Sequence, residues 1–302
     1  VLIPSYVSRP IGVVAERAPE VAHYAQWLDT YGIDSVHDYD PFWQRCEELG
    51  VSLATHGSGM GWGSRRSISS YMYNHVGHFA AAGEALCKSL FMGGVTRRFP
   101  KLRFAFLEGG VAWACAQLAD QLGHWRKRNA SMLGNYDPAA LDVEQLEALF
   151  TRYAGDRGWT TEESGWTMRG ARGGAVDDWA ALEVESEADL VDLFVPRFFF
   201  GCEADDPMTS MAFNTQINPF GARLGAMLGS DIGHWDVPDM TEVLPEVLEP
   251  LDKGWIGSED LRDFVFTNPV RFYTDTNPDF FVGTAIEDDV RSLLAKDDRR
   301  ES

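Results

Sequence analysis

Apolar residues along this chain fall into two kinds of segment. Short uninterrupted runs predict strands, and longer stretches with apolar positions every three to four residues predict helices. Runs at 1–4, 51–55, 102–107, 197–200 and 223–228 read as strands. Helical patterns cover 40–49, 69–93, 112–129, 239–251 and 258–266. The pattern at 112–129 carries apolar residues at 111, 115, 118, 122 and 125. Asp40-Pro41 reads as a helix start, with Asp as the cap and Pro at the first helical position, and Gly50 as its end. Thr267-Asn268-Pro269 reads as the stop of the last helix. Residues 5–32 form a long excursion before the first clear helix.

A second excursion, about 131–195, interrupts the rhythm. It holds two helical pieces near 142–153 and 186–194. Between them lies GDRGWTTEESGWTMRGARGGAVDDW (155–179), rich in Gly and Trp, read as a mobile flap or a partner-contacting segment. No tandem repeat is visible.

Strands alternating with helices predict an α/β fold with parallel pairing. Polar residues stand where strands end: His56, Glu108, Glu203 and Asp231. In a (β/α)8 TIM barrel those ends build the catalytic face, and in an open doubly wound sheet they would line a crevice. No GxGxxG follows a strand, which counts against a dinucleotide site. The reading is one barrel domain over 1–302. A barrel needs eight strands and this pattern offers five, so the first three, roughly 90 residues, are expected upstream of Val1.

Composition narrows the field. A net charge of −20 on 302 residues repels phosphate backbones and argues against nucleic-acid binding. No apolar run reaches the ~20 residues that span a bilayer, and no secretory leader pattern opens the chain. The four cysteines, Cys46, Cys87, Cys115 and Cys202, lack CxxC spacing. They read as reduced core thiols of a cytoplasmic protein.

His56 and Asp231 lead the candidate chemistry. A strand-end imidazole suits a borderline metal, and a strand-end carboxylate can ligate the same ion and accept a proton from water. The plainer alternative is a loop histidine and a helix cap. Glu108 could act as acid or base, orient a ligand, or simply bond the amides of Gly109 and Gly110. His75 and His78, three apart in one predicted helix, are candidates for substrate contact or for packing. Tyr6 and Arg9 follow a strand end and could receive a substrate oxygen or carboxylate; a surface salt bridge is the duller account of Arg9. His234 reads as shaping the loop that holds Asp231. Glu203, Asp205 and Asp206 could form a second metal site, yet adjacent acids more often make a solvated turn.

Four segments carry a resemblance: VSLATHGSG (51–59), FPKLRFAFLEGGVAW (99–113), GSDIGHWD (229–236) and TNPVRFY (267–273). In this order they resemble the amidohydrolase-related family of metal-dependent hydrolases and decarboxylases. The resemblance implies a TIM barrel with one divalent metal, zinc first and manganese as the alternative. It implies His56 as the fifth-strand ligand, and Asp231 as the eighth-strand ligand and general base. The family's first-strand His-x-His or Glu-x-His pair is not among the seven histidines, and Glu108 stands where many relatives carry His.

The leading expectation is therefore hydrolysis of a small organic substrate, aromatic or carboxylated. Non-oxidative decarboxylation of an aromatic or unsaturated acid is the alternative, and a non-catalytic barrel or inactive fragment is the third. The expected partner is a small-molecule substrate, with neither nucleic acid nor membrane. Pairing into a homodimer is compatible with the resemblance.

Overall fold

The computed structural model describes residues 1–135, 137–154 and 176–301. Its first elements are β1 (Leu2–Ile3), β2 (Val7–Pro10), α1 (Gly12–Arg17), β3 (Gln26–Asp29), α2 (Asp40–Leu49), β4 (Leu53–Thr55), α3 (Tyr71–His75), α4 (His78–Met92) and α5 (Val95–Arg98). Then come β5 (Phe104–Phe106), α6 (Ala112–Arg128), α7 (Val143–Ala154), α8 (Glu187–Phe194), β6 (Phe198–Cys202) and β7 (Gly225–Leu228). Four helices close the chain: α9 (Val243–Asp252), α10 (Ser258–Arg262), α11 (Asn268–Thr274) and α12 (Glu287–Glu301).

The five strands expected from the apolar runs pair in parallel in the order β1-β4-β5-β6-β7. This is the order of consecutive staves in a (β/α)8 barrel, and the class is α/β. Among the described residues the sheet runs from β1 to β7 without closing.

β6 shows why an unbroken apolar run makes such a strand. Side chains alternate across a strand, so one buried on both faces must be apolar at every position. Phe198 and Phe200 pack toward the helices, against Phe194 and Trp113 with ring centroids 5.0 and 5.3 Å apart. Phe199 packs on the other face with Ala105, Met227 and Phe272. Each such burial contributes about 1.5–3 kcal/mol. Of the periodic apolar positions at the start of α6, Val111, Cys115, Leu118 and Leu122 are all buried. All four cysteines are free and buried.

Four local expectations need correction. The excursion after β1 contains an antiparallel hairpin, β2 with β3, in register Val7↔Asp29 to Pro10↔Gln26. Asp40 is not the cap of α2: Tyr39 holds that position, and the Asp38 carboxylate accepts the Asp40 amide at 3.0 Å. Asp40 instead forms two bonds of 2.9 Å with Arg98. The predicted helix 69–93 is two helices, parted at Val76-Gly77, where Gly77 adopts φ 69°. Thr267-Asn268-Pro269 does not stop the closing helices. The chain takes a π-helical turn over Asp263–Thr267, and Pro269 falls in the first turn of α11, where its missing N–H costs nothing. Asn268 Nδ2 ties this junction to the Ala226 carbonyl of β7 at 2.8 Å.

The chain divides into two compact units, residues 1–122 with 181–302, and residues 123–180. Within the described part of the second, short 3-10 turns at Ala130–Asn135 and Pro138–Ala140 precede α7. Most of the Gly- and Trp-rich segment, 155–175, lies outside the described residues. No described helix is long and apolar enough to cross a membrane.

Candidate active site

Hydrogen bonds of the sheet continue past the strands and fix where the site residues emerge. Leu107 N bonds Thr55 O at 3.0 Å, Gly110 N bonds Gly201 O at 3.1 Å, and Gly229 N bonds Cys202 O at 2.8 Å. His56 therefore follows β4, Glu108 follows β5, Glu203 follows β6 and Asp231 follows β7, all at one end of the sheet. Glu108 and Asp231 hold left-handed backbone, with φ 56° and 45°. That conformation costs about 1–3 kcal/mol outside glycine and clusters at functional positions. Gly57 is required for close approach, because a Cβ there would lie 2.2 Å from Ser5 Oγ.

His56 Nε2 lies 2.5 Å from Glu108 Oε2, and the His56 ring stacks on Phe79 at 4.3 Å. Glu108 in turn shares a hydrogen bond with Asp231. Burial pulls the Glu108 carboxyl upward, but the bonds from His56 and Asp231 outweigh it and hold the group below its usual value. Asp231 moves the other way: burial, then the bond to Glu108 and its charge, raise it. A hydrogen bond between two carboxyl groups needs a proton, and that proton belongs to the pair rather than to either residue. Donor oxygens of Glu108, Glu203 and Asp231 all lie within 4.8 Å of one another. Partial burial first, and then the charges of Asp205, Glu108, Asp231 and Asp236, push the Glu203 carboxyl up to about 7.

His234 turns back on the same group. Its Nδ1 lies 3.2 Å from Asp231 Oδ2 and also bonds Asp236, whose bond is the main cause raising the imidazole. The turn that permits this runs from Asp231 O to His234 N, 3.0 Å apart.

Two cavities adjoin here. One of about 340 Å³ is lined by His56, Glu108, Glu203 and Asp231 over the apolar floor of Leu107 and Met227. The other, about 180 Å³, shares Glu108, Glu203 and Asp231 and adds His75, His78, His234 and Asp236. His75 and His78 lie on either side of the α3–α4 break, yet their rings are 4.6 Å apart. Arg9 and Tyr6 line neither cavity. Arg9 bonds Asp29 at 3.1 Å and the Tyr39 hydroxyl at 2.7 Å, inside the hairpin region. Tyr6 donates to the Ser58 carbonyl at 2.9 Å and so braces the loop that follows His56.

Glu203 is the residue that sequence reasoning set aside as part of a solvated turn. Its position just past a strand was the available signal, the same one that marked His56, Glu108 and Asp231.

This donor set suits a divalent cation. Three carboxylates with their oxygens drawn together, one of them bonded to His56, make a place that a cation can take by displacing a proton, and Asp231, His234 and Asp236 form a second such group.

A family model described as Amidohydrolase matches residues 16–158. Solved structures also match, among them the crystal structure of an amidohydrolase from Mycobacterium avium subsp. paratuberculosis K-10. That chain is 16% identical, with a TM-score of 0.42, over 90% of this chain and 51% of its own length. This chain therefore spans about half the length of that structure. No curated protein matches. The family-model match supports an amidohydrolase-related family.

Proposed function

We propose that this amidohydrolase-related chain is a metal-dependent hydrolase of a small organic substrate. The observation that carries the reading is the cluster of Glu108, Glu203 and Asp231 at the strand ends, with His56 bonded to Glu108. His56, Glu108, Asp231 and Glu203 would hold a divalent ion, zinc first and manganese as the alternative. Such an ion supplies Lewis acidity, polarising a scissile carbonyl and acidifying water.

The chain's own groups do the proton work. Asp231 accepts a proton from the attacking water, aided by His234 against its outer oxygen. Glu108 fixes Asp231 and His56 relative to each other. Glu203, titrating about 7, can return a proton to the leaving group near neutral pH.

Hydrolysis is favoured over decarboxylation by the charge of the cavities. Among the described residues neither lining includes an Arg or Lys to receive a substrate carboxylate, while several carboxylates line both.

The test is elemental analysis of the purified chain together with turnover of 4-nitrophenyl acetate and 4-nitroacetanilide after zinc or manganese is added. Stoichiometric metal and metal-dependent release of product are expected. Carbon dioxide release from hydroxybenzoates would transfer the reading to a decarboxylase. Neither metal nor turnover would leave an inactive barrel.

A further inference from the structure

His78 is the first residue of α4 and is 4% exposed. It is clamped from two directions. Its carbonyl accepts the Gly59 amide at 2.9 Å, and its Nδ1 lies 3.0 Å from Ser58 Oγ. Ser58 Oγ already accepts the Met60 amide at 3.2 Å, so its hydroxyl proton is available to Nδ1. With that hydroxyl proton given to Nδ1, the imidazole carries its own proton on Nε2. Tyr6 completes the brace by holding the Ser58 carbonyl. Yet Nε2 is buried without a hydrogen-bond partner, in a residue that lines the 180 Å³ cavity. A buried donor left unmade is costly, and a ring fixed this firmly at its opposite edge is suited to receive an incoming oxygen.

The surroundings say what that oxygen belongs to. His78 stands at the N-terminus of a 15-residue helix, whose first-turn amides have no intrahelical partner and favour negative charge developing on an acceptor. Burial first, then His75 and Arg65, keep the imidazole toward its neutral form, a donor without full charge. Rings continue outward from His78: the lining residue His75, 4.6 Å from it, lies 5.1 Å from Tyr71 and 6.1 Å from Trp235. Tyr71 and Trp235 are both exposed, so their faces are open to a ligand. Four carboxylates, Glu108, Glu203, Asp231 and Asp236, line the same cavity. Arg65, whose charge acts on His78, bonds the Val76 carbonyl and lines neither cavity.

We propose that His78 Nε2 donates to the carbonyl oxygen of a planar, uncharged acyl compound, such as an aryl ester or lactone, held between His75, Tyr71 and Trp235. The proposal rests on the hydrolase reading and names its substrate class. Because Nε2 is buried, donation to a ligand requires a side chain over it to move aside.

The test is calorimetric titration of the chain with coumarin, an uncharged planar lactone, and with coumarin-3-carboxylate. Coumarin is expected to bind at least about tenfold more tightly than its carboxylate. His78→Phe should weaken coumarin about tenfold, His78→Gln should recover part of that loss, and Trp235→Ala should weaken it about fivefold. Equal or tighter binding of the carboxylate, or unchanged coumarin binding by His78→Phe, overturns the proposal. Should His78→Phe fail to fold, the wild-type preference and Trp235→Ala decide in the same sense. Aryl-ester turnover is scored separately. Intact coumarin selectivity without turnover sinks the hydrolase reading and leaves this site standing; turnover without that selectivity does the reverse.

Discussion

The two ends of the parallel sheet treat charge in opposite ways. Where strands begin, opposite charges meet. Arg103 bonds Asp275 at 2.9 Å, and Arg223 reaches Asp260 at 2.6 Å and Asp263 at 2.8 Å. Where strands finish, carboxylates crowd carboxylates, and the basic groups bonded to them among the described residues are the histidines His56 and His234. The cavity at the first end is the larger, about 430 against 340 Å³. Size alone would choose the wrong end. Opposed charges in contact stabilise a fold. Like charges held together lower its stability, and they persist when a ligand or a reaction uses them.

The comparison breaks most sharply at Asp231. Asp231→Asn keeps the shape but removes the proton acceptor, so turnover should fall about 10²–10⁴-fold. Because the asparagine amide can still donate to Glu108, the metal-free variant should melt close to wild type. A variant that loses activity only by unfolding would place Asp231 among structural residues and remove the contrast.

The next effect is metal linkage. A cation should displace the proton shared by Glu108 and Asp231, so zinc at a hundredfold excess over its dissociation constant should stabilise the chain by about 2.7 kcal/mol. Binding that requires proton release strengthens as pH rises. The zinc-induced increase in melting temperature should therefore be larger at pH 7.5 than at pH 5. An equal increase at both would mean that zinc binds elsewhere.

Arg223 tests the other end. Arg223→Ala leaves Asp260 and Asp263 facing each other, but all three side chains are partly solvated. A loss of roughly 1 kcal/mol is expected in urea unfolding, with turnover by the folded protein unchanged. A fall in turnover without loss of stability would show the strand-start end to be functional after all.

How much of this was legible follows from what each feature depends on. β4 through β7 were visible because a strand buried on both faces has no polar position to hide it; Phe198, Phe199 and Phe200 announce β6. The strand-end rule then located His56, Glu108 and Asp231. It marked Glu203 as well, but Asp205 and Asp206 beside it have the composition of a solvated turn, and composition cannot show that β6 aims one acid of the three at Glu108. The α3–α4 break escaped because Gly77 is tolerated inside many helices, and only its left-handed φ parts the two. Arg9 was undecidable for a different reason. Its partner Asp29 is 20 residues away, brought opposite by a hairpin whose strands have no strong alternation.

The smallest expected effect is the most direct reading of like-charge crowding. Glu203 titrates at about 7 in the folded chain against an ordinary value of 4.5. Below pH 4.5 both folded and unfolded chains hold that proton, and the folded state keeps its full advantage. Between 4.5 and 7 the unfolded chain has released the proton while the folded chain retains it, so stability declines as pH rises through this window. Above 7 the contribution is flat. Glu203→Gln has no proton to release, so metal-free variant and wild type should be nearest in stability at pH 4.5 and diverge toward pH 7.5, the variant becoming the more stable. Glu203 is well exposed, and solvent screening keeps the gap small. Urea midpoints measured at half-unit steps would resolve it. Parallel curves across the window would mean that Asp205, Glu108 and Asp231 do not press on Glu203, and that its carboxylate belongs to the solvated turn its neighbours suggested.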